Sequence, residues 1–245
     1  DRIFDVLDGY QQKATFFCLG WIAEKYPEVI KKIVARGHEV GTHSRMHQLI
    51  YEQTPSEFAA DLDYSIKTLE DITGTSVKFF RAPGFSIRKD NKWAFHVLAD
   101  HGITVDCSVF PASRSHGGFP SYGKAVPSLI KCDGCAIKEL PINYIKFFGR
   151  TVIFSGGGYF RLFPYSLIRR FTESSDYVMS YLHPRDFDRT QPIIHDLSLF
   201  RRFKSYIGLK HAEEKLIRWL SDEPFSCLSD AISRIDWNRV PVVEL

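Results

Sequence analysis

The chain has 245 residues, of which 44% are hydrophobic and 25% charged. This composition excludes a disordered tail or a fibre and leaves enough chain to bury a sizeable core. The 32 lysines and arginines exceed the 29 aspartates and glutamates by only three, far short of the clustered excess of a nucleic-acid-binding protein.

No apolar run approaches the roughly 18 residues that a membrane-spanning helix requires, so we expect no membrane span and no nucleic-acid partner. The five cysteines are odd in number and too thinly spread for the disulfide framework of a small secreted domain. Such usage is typical of a reducing compartment. We therefore expect a cytoplasmic protein.

The first two-thirds of the chain alternates helical and extended patterns, the order that builds a parallel sheet covered by helices. Apolar residues at helical spacing predict an opening helix, namely Ile3, Phe4, Val6, Leu7 and Tyr10. The elements predicted next are a strand at 14–19, a helix from Ile22 to Gly37, a strand at 38–43, a helix at 54–74, a strand at 77–81, a helix at 93–101 and a strand at 103–109. The firmest of these begins with a capping box, in which Thr54 and Glu57 flank Pro55.

The rest of the chain is less regular. Residues 110–127 are rich in Gly, Pro and Ser and predict a long excursion that is functional or mobile. The elements predicted after it are a hairpin around Asp133-Gly134, a strand at 151–154, a glycine turn at 156–158, a helix from Pro164, a strand at 178–182, and helices at 197–206, 212–220 and 227–232. We find no linker and expect a single domain over residues 1–245. Because the sequence opens inside a helix, we also expect the natural N-terminus to lie further upstream.

Cys132 and Cys135 form a C-x-x-C whose middle residues, Asp133-Gly134, are typical of a two-residue hairpin turn. One such pair without a second is weak evidence for zinc. We predict two thiols that face each other beside a turn, bind no metal and lie away from His43.

Three predicted strands end in residues able to carry chemistry, and parallel α/β folds gather their active sites at such ends. His43 and His47 follow one strand, and imidazoles four apart on a helical turn can bind one metal. Arg81 ends another strand among aromatic residues and needs a carboxylate partner there, which suggests that it orients an acid or base. His183 ends a third and can donate a proton near neutral pH. The alternatives are solvated loop histidines, a structural ion pair and a core histidine satisfied by backbone.

Two other motifs give little support to a phosphate-binding or a serine-hydrolase function. Gly156–Gly158 lacks the spacing and the Lys-Ser/Thr ending of a phosphate loop, so we predict a tight turn. Ser108 and Ser155 lack the G-x-S-x-G frame of a serine hydrolase.

Taken together, the motifs resemble those of the polysaccharide deacetylases of the NodB-homology superfamily. The matching segments are A-T-F-F-C-L-G at 14–20, G-H-E-V-G-T-H-S-x-x-H at 37–47, F-R-A-P at 80–83, D-C-S-V-F-P at 106–111 and Y-L-H-P at 181–184. The segments S-G-G-G-Y-F-R at 155–161 and Y-I-G-L at 206–209 resemble the subfamily encoded beside exopolysaccharide and exosortase loci. The resemblance covers nearly the whole chain.

This resemblance implies an α/β fold, a distorted (β/α) barrel of the polysaccharide deacetylase type that lacks its first strand. It implies a divalent metal, zinc, held by His43, His47 and an aspartate. His183 is then the general acid, Arg81 holds the catalytic base, and the backbone N–H of Gly84 stabilises the oxyanion. Aromatic residues that could stack on sugar rings are Phe85, Phe110 and Tyr159.

One departure concerns the aspartates. The family supplies its base and third metal ligand from a first strand, and Asp5 and Asp8 imitate that segment. The flanking apolar residues follow helical spacing, so we reject Asp5 and Asp8 and expect the true pair upstream. The chain as given should then bind zinc weakly and be nearly inactive.

The implied activity is hydrolysis of N-acetyl groups from an amino-sugar polysaccharide or oligosaccharide, in exopolysaccharide biosynthesis. Two alternatives stay open: an inactive glycan-binding pseudo-enzyme, and a C–N hydrolase of the same barrel that acts on a small amide. The sequence does not indicate an oligomeric state.

Overall fold

A computed structural model describes residues 1–113, 117–132, 134–194 and 196–245. Its strands are β1 (Thr15–Cys18), β2 (Glu39–Thr42), β3 (Phe79–Phe80), β4 (Val105–Asp106), β5 (Ser128–Cys132), β6 (Cys135–Glu139), β7 (Ile145–Phe147), β8 (Arg150–Val152) and β9 (Val242–Glu244). Its α-helices are α1 (Arg2–Gly9), α2 (Gly20–Lys25), α3 (Pro27–Ala35), α4 (Pro55–Thr73), α5 (Trp93–Asp100), α6 (Gly157–Leu162), α7 (Tyr165–Glu173), α8 (Leu199–Tyr206), α9 (Ala212–Asp222) and α10 (Leu228–Ser233).

The chain forms two compact units. One, the sheet unit, comprises residues 11–141 and 225–245, and the other, the helical unit, comprises residues 1–10 and 142–224. We describe each by itself.

The sheet unit contains a seven-stranded sheet in the order β1-β2-β3-β4-β6-β5-β9. Strands β1 to β4 and β6 run parallel, whereas β5 and β6 form an antiparallel hairpin. Helices connect the first parallel strands, so these strands end at one edge of the sheet. This arrangement confirms the predicted α/β class and places the segments after β2, β3 and β4 along that edge.

Local signals explain most element boundaries. The Thr54 side chain accepts from the Glu57 backbone N–H, while the Glu57 carboxylate accepts from the Thr54 N–H at 2.7 Å, so the predicted capping box begins α4. Gly74 ends the helix with φ of 68°. The predicted β5–β6 hairpin is also present, although its turn residue Asp133 lies outside the described residues.

The prediction of one helix from Ile22 to Gly37 is wrong. The chain forms α2 and α3, which are separated at Tyr26. Pro27 disfavours helical backbone at the residue before it, and Tyr26 has φ of −134° and ψ of 58°. Proline at the first turn then begins α3, because the N–H that it lacks has no partner within the helix.

The helical unit contains the β7–β8 hairpin and helices α1 and α6 to α9. The predicted strand at 178–182 is wrong, since its pairing within the described residues is limited to one bridge between Tyr181 and Gly156. The side chain of Asn143 instead accepts from the Met179 N–H at 3.0 Å. The glycine segment is likewise more than a turn, because α6 begins at Gly157.

Within the described residues, no helix has the length and apolar character needed to cross a membrane.

Candidate functional site

The loop after β2 brings His43 and His47 together. Their ring centroids lie 5.0 Å apart with the ring planes nearly perpendicular. The loop is not the helical turn that the spacing suggested, since Ser44 and His47 have φ of 71° and 60°. Non-glycine residues in the left-handed region are uncommon and concentrate at functional sites.

Buried hydroxyl groups fix this loop. The Ser44 hydroxyl accepts from the His47 N–H at 3.1 Å, and the Ser65 hydroxyl of α4 donates to the Ser44 carbonyl at 3.2 Å. Ser65 also exchanges a 2.7 Å hydrogen bond with Thr42 at the end of β2. Ser44, Ser65 and Thr42 are fully buried. The position of His47 therefore depends on β2 and α4 together.

The histidine pair fits a divalent metal. Nδ1 of His43 lies 2.6 Å from the Arg81 carbonyl oxygen, which can only accept, so Nδ1 carries the proton. The neutral ring then presents its Nε2 lone pair, the donor that zinc takes from histidine. A carbonyl that orients a histidine in this way is the usual outer partner of a metal-binding imidazole.

Arg81 follows β3 and is 8% exposed. Its guanidinium lies over the Phe17 ring at 4.4 Å, and Nε donates to the Cys107 carbonyl at 3.2 Å. We expected a carboxylate partner. Within the described residues, these two contacts hold the guanidinium instead, while the Arg81 carbonyl orients His43.

Two buried carboxyl groups lie at the ends of β4 and β6. The sequence alone assigned a role to neither, although Asp106 opens the matching segment at 106–111. Asp106 and Glu139 are register partners on β4 and β6, both fully buried. Ser108 donates to Asp106 at 2.5 Å, and Glu139 accepts from the Val109 N–H at 3.0 Å. Burial raises the pKa of both groups, and the neighbouring Asp106 charge raises that of Glu139 further, well above its usual range. The raised pKa favours the protonated form of Glu139, which is the form that a buried site beside a second carboxyl group tolerates best.

Gly84 lies in a short 3-10 turn directly after Arg81, with φ of 62°. Phe85 and Phe110 lie beside it, and their ring centroids are 6.3 Å apart. They are 1% and 3% exposed, so they line the core and present no open face to a sugar ring. Their suggested stacking role does not fit this arrangement, because neighbouring residues cover both rings almost completely.

His183 lies in the helical unit at the start of a 3-10 turn, with its side chain 41% exposed. Nδ1 lies 3.5 Å from Oδ2 of Asp186, and the His183 backbone N–H donates to the same oxygen at 2.9 Å. Asp186 is buried and forms an ion pair with Arg161 at 2.9 Å. Burial by itself would raise the pKa of Asp186, but the His183 hydrogen bonds and the Arg161 charge outweigh it and hold that pKa below its usual value.

Arg161 is itself held by three backbone carbonyls near the end of α8, those of Lys204, Ser205 and Ile207. Asp186 and Arg161 were not predicted as site residues. The i,i+3 spacing of His183 and Asp186 was the available signal, since a carboxylate at that distance can reach back to the turn's first residue.

The remaining candidates also lie in the helical unit. Tyr159 is 40% exposed and stacks on Phe163 with centroids 5.8 Å apart, so part of its side chain is accessible to a ligand. Asp5 and Asp8 lie in α1, which is helical as predicted. The rejection of this segment as a strand therefore holds.

Comparison with known families identifies both parts of the chain. The polysaccharide deacetylase family model matches residues 1–105, and a domain of unknown function, DUF3473, matches residues 107–233. The DUF3473 match spans more than half of the chain, which therefore belongs to that family, and the segment before it matches the polysaccharide deacetylase domain.

Curated relatives match the first part. A peptidoglycan-N-acetylglucosamine deacetylase from Bacillus cereus is 34% identical over 94 residues, which are 38% of this chain and 34% of the relative. Chitin deacetylase 1 from Saccharomyces cerevisiae is 31% identical over 100 residues, 41% of this chain and 32% of the relative. The chain thus aligns with about a third of each protein.

A solved structure shows the same fold across the chain. A Mycobacterium smegmatis protein assigned to the polysaccharide deacetylases aligns over 100% of this chain and 79% of its own, with a TM-score of 0.66 and 16% identity. The deacetylase fold predicted from the motifs is confirmed.

Proposed function

We propose that this protein is a metal-dependent hydrolase that removes N-acetyl groups from an amino-sugar polysaccharide, in exopolysaccharide biosynthesis. The observation that carries the proposal is the His43–His47 pair at the end of β2, with Nδ1 of His43 fixed by the Arg81 carbonyl. The match of residues 1–105 to the polysaccharide deacetylase domain supports the same chemistry, and the relatives named above are deacetylases of peptidoglycan and chitin by name.

His43 and His47 would hold the divalent ion, zinc in our proposal, through neutral imidazoles. When bound, such an ion lowers the pKa of a bound water and polarises a carbonyl oxygen. Arg81 positions His43 through its backbone carbonyl. Its guanidinium is buried and would orient a carboxylate base. The Gly84 N–H would bind the oxyanion that develops on the acetyl group.

His183 would give a proton to the departing sugar amine. Its Nδ1 faces Asp186, so the ring is oriented to act through Nε2. Asp186 is a positioning residue, because it acts through His183 rather than on the substrate. Tyr159, which is partly exposed, is our candidate for contact with a sugar ring.

The test uses the full-length protein loaded with zinc. We expect acetate release from N-acetylglucosamine oligomers, and loss of both zinc and acetate release in His43→Ala and His47→Ala. His211→Ala is the control, since that exposed histidine lies in the helical unit beside Glu214. Zinc binding and glycan binding without acetate release would favour the pseudo-enzyme. Hydrolysis of small N-acetyl compounds with no activity on oligomers would favour the small-amide hydrolase.

A further inference from the structure

A second group of metal-ligating side chains lies on the sheet unit, away from the histidine pair. The ligand atoms of His96, Cys132 and Cys135 all lie within 4.8 Å of one another. The cysteines close the β5–β6 hairpin as register partners and form a disulfide. His96 comes from α5, the helix that packs on β6. The sequence could indicate the two thiols but not the distant histidine.

The sheet topology separates this group from the candidate active site. Strand β6 runs parallel to β4 and begins at Cys135, whereas His43 follows the last residue of β2. Cys135 therefore lies at the opposite end of the strands, and β3 and β4 stand between β2 and β6. The prediction that these cysteines lie away from His43 is confirmed.

The group is accessible to small solutes. An open cavity of about 440 Å³ is lined by both cysteines together with Gly134 and Ala136, and by Lys131 of β5 and Glu244 of β9. A reductant or a metal ion can reach the sulfur atoms from this side.

The sequence alone predicted that the two cysteines bind no metal, but His96 now supplies a third ligand. We propose that His96, Cys132 and Cys135 form a Cys2His site for a thiophilic divalent cation such as zinc when the disulfide is reduced. Two thiolates and one imidazole suit zinc, which commonly takes three protein ligands and a water. The site is independent of the proposed deacetylase function.

Conversion of the disulfide form to the metal-bound form conserves electrons and protons. A dithiol reductant supplies two electrons and two protons, the S–S bond breaks and two thiols form while the reductant becomes a disulfide. Metal binding then releases two protons as the thiols become thiolates. Oxidation in the reverse direction expels the metal, so the hairpin carries either a disulfide or a metal.

The other three cysteines offer little competition. Cys107 and Cys227 are buried and Cys18 is half-buried, and burial raises the pKa of these thiols to about 12, 11 and 12 respectively. Within the described residues, these three cysteines also belong to no second group of three metal-ligating side chains. A thiolate–metal signal from the native protein therefore reports on Cys132 and Cys135.

The experiment titrates cobalt(II) into protein reduced with a phosphine, which is then removed. We expect a thiolate-to-cobalt charge-transfer band that saturates with one equivalent, bleaches on zinc addition and is absent from the oxidised protein. Cys132→Ser and Cys135→Ser should lose the band. His96→Ala removes a direct ligand and should weaken cobalt binding by at least the roughly 10- to 100-fold that loss of an outer partner costs a metal site. His101→Ala is the matched control, because that histidine lies just after the same helix.

A second measurement needs no variant. Zinc should protect Cys132 and Cys135 from alkylation in the reduced protein, as read by peptide mass spectrometry. A band that survives in His96→Ala with unchanged affinity would overturn the assignment. Alkylation of both thiols at the same rate with and without zinc would also overturn it. The same titration in His43→Ala should leave the thiolate band intact, which separates this site from the proposed catalytic metal.

Discussion

The interaction between His183 and Asp186 has a direct consequence for activity. The buried Asp186 carboxylate favours the His183 tautomer with a proton on Nδ1, which leaves Nε2 for the substrate. The ion pair with Arg161 keeps that carboxylate ionised. The sequence identifies His183 by its position after an apolar run. It could not show that Asp186 is buried and paired with a residue 25 positions earlier.

We expect Asp186→Asn to lower deacetylation by at least about tenfold, short of the roughly 10⁴-fold loss when a buried aspartate of a catalytic triad is replaced. The smaller effect follows from the 3.5 Å separation and the partial exposure of His183. Nitrogen NMR of the His183 ring should show a changed tautomer population, which a purely structural role would not produce. Asp188→Asn, an exposed neighbour, is the control. An unchanged ring tautomer in Asp186→Asn would contradict the positioning role.

Glu139 should make the protein less stable as pH rises, whereas a carboxylate whose pKa is lowered by folding makes it more stable. Because its pKa is raised in the folded protein, the folded state binds more protons than the unfolded state above about pH 4.5. The free energy of unfolding should therefore fall as pH rises from about 4.5 toward the folded-state pKa. Glu139→Gln keeps the shape and an acceptor for the Val109 N–H, so it should flatten this dependence.

Urea unfolding at several pH values checks this prediction. Glu52→Gln, at an exposed position, should leave the slope of stability against pH unchanged. If the native protein and Glu139→Gln lose stability equally between pH 5 and pH 8, the raised pKa of Glu139 does not cause the dependence of stability on pH.

At the level of elements, local signals predicted helices and hairpins well and long-range pairing poorly. The capping box of α4 and the β5–β6 hairpin depend on neighbours within a few residues. Strand β9 was not predicted, because its pairing with β5 joins residues more than a hundred positions apart. The strand predicted from the apolar run at 178–182 was wrong for the same reason. No sequence signal shows that the side-chain amide of Asn143 takes the place of a strand partner.

The loop between α8 and α9 supports the Arg161 network through one glycine. Gly208 has φ of 71°, and a Cβ there would lie within van der Waals overlap of the Arg161 carbonyl. Gly208→Ala should therefore lower the free energy of unfolding by more than the roughly 1–3 kcal/mol that a left-handed backbone alone costs a non-glycine residue.

Gly74→Ala is the matched control, because Gly74 has φ of 68° and a Cβ there would meet nothing within 4 Å. It should show the backbone cost alone. Urea denaturation of both variants measures the difference, and equal losses would mean that the contact with Arg161 contributes nothing.

At the scale of the molecule, the proposed roles divide between the two units. The metal-binding pair lies in the sheet unit and the proposed acid in the helical unit. The family models divide at residues 105 and 107, and the DUF3473 match contains His183. The motif after β2 could be recognised from sequence because its spacing is short, whereas the partners of His183 depend on contacts within the helical unit.

This division predicts that metal loading and acid catalysis can be lost separately. In the full-length protein, His47→Ala should abolish zinc loading, because a metal ligand is removed. His183→Ala should leave the zinc content unchanged and lower acetate release by roughly 10²- to 10⁴-fold, the contribution of a positioned general acid. Metal analysis of the purified variants and acetate assays on N-acetylglucosamine oligomers separate the two effects. Zinc loss in His183→Ala would show that His183 supports the metal, and full activity in that variant would assign the proton transfer to another group.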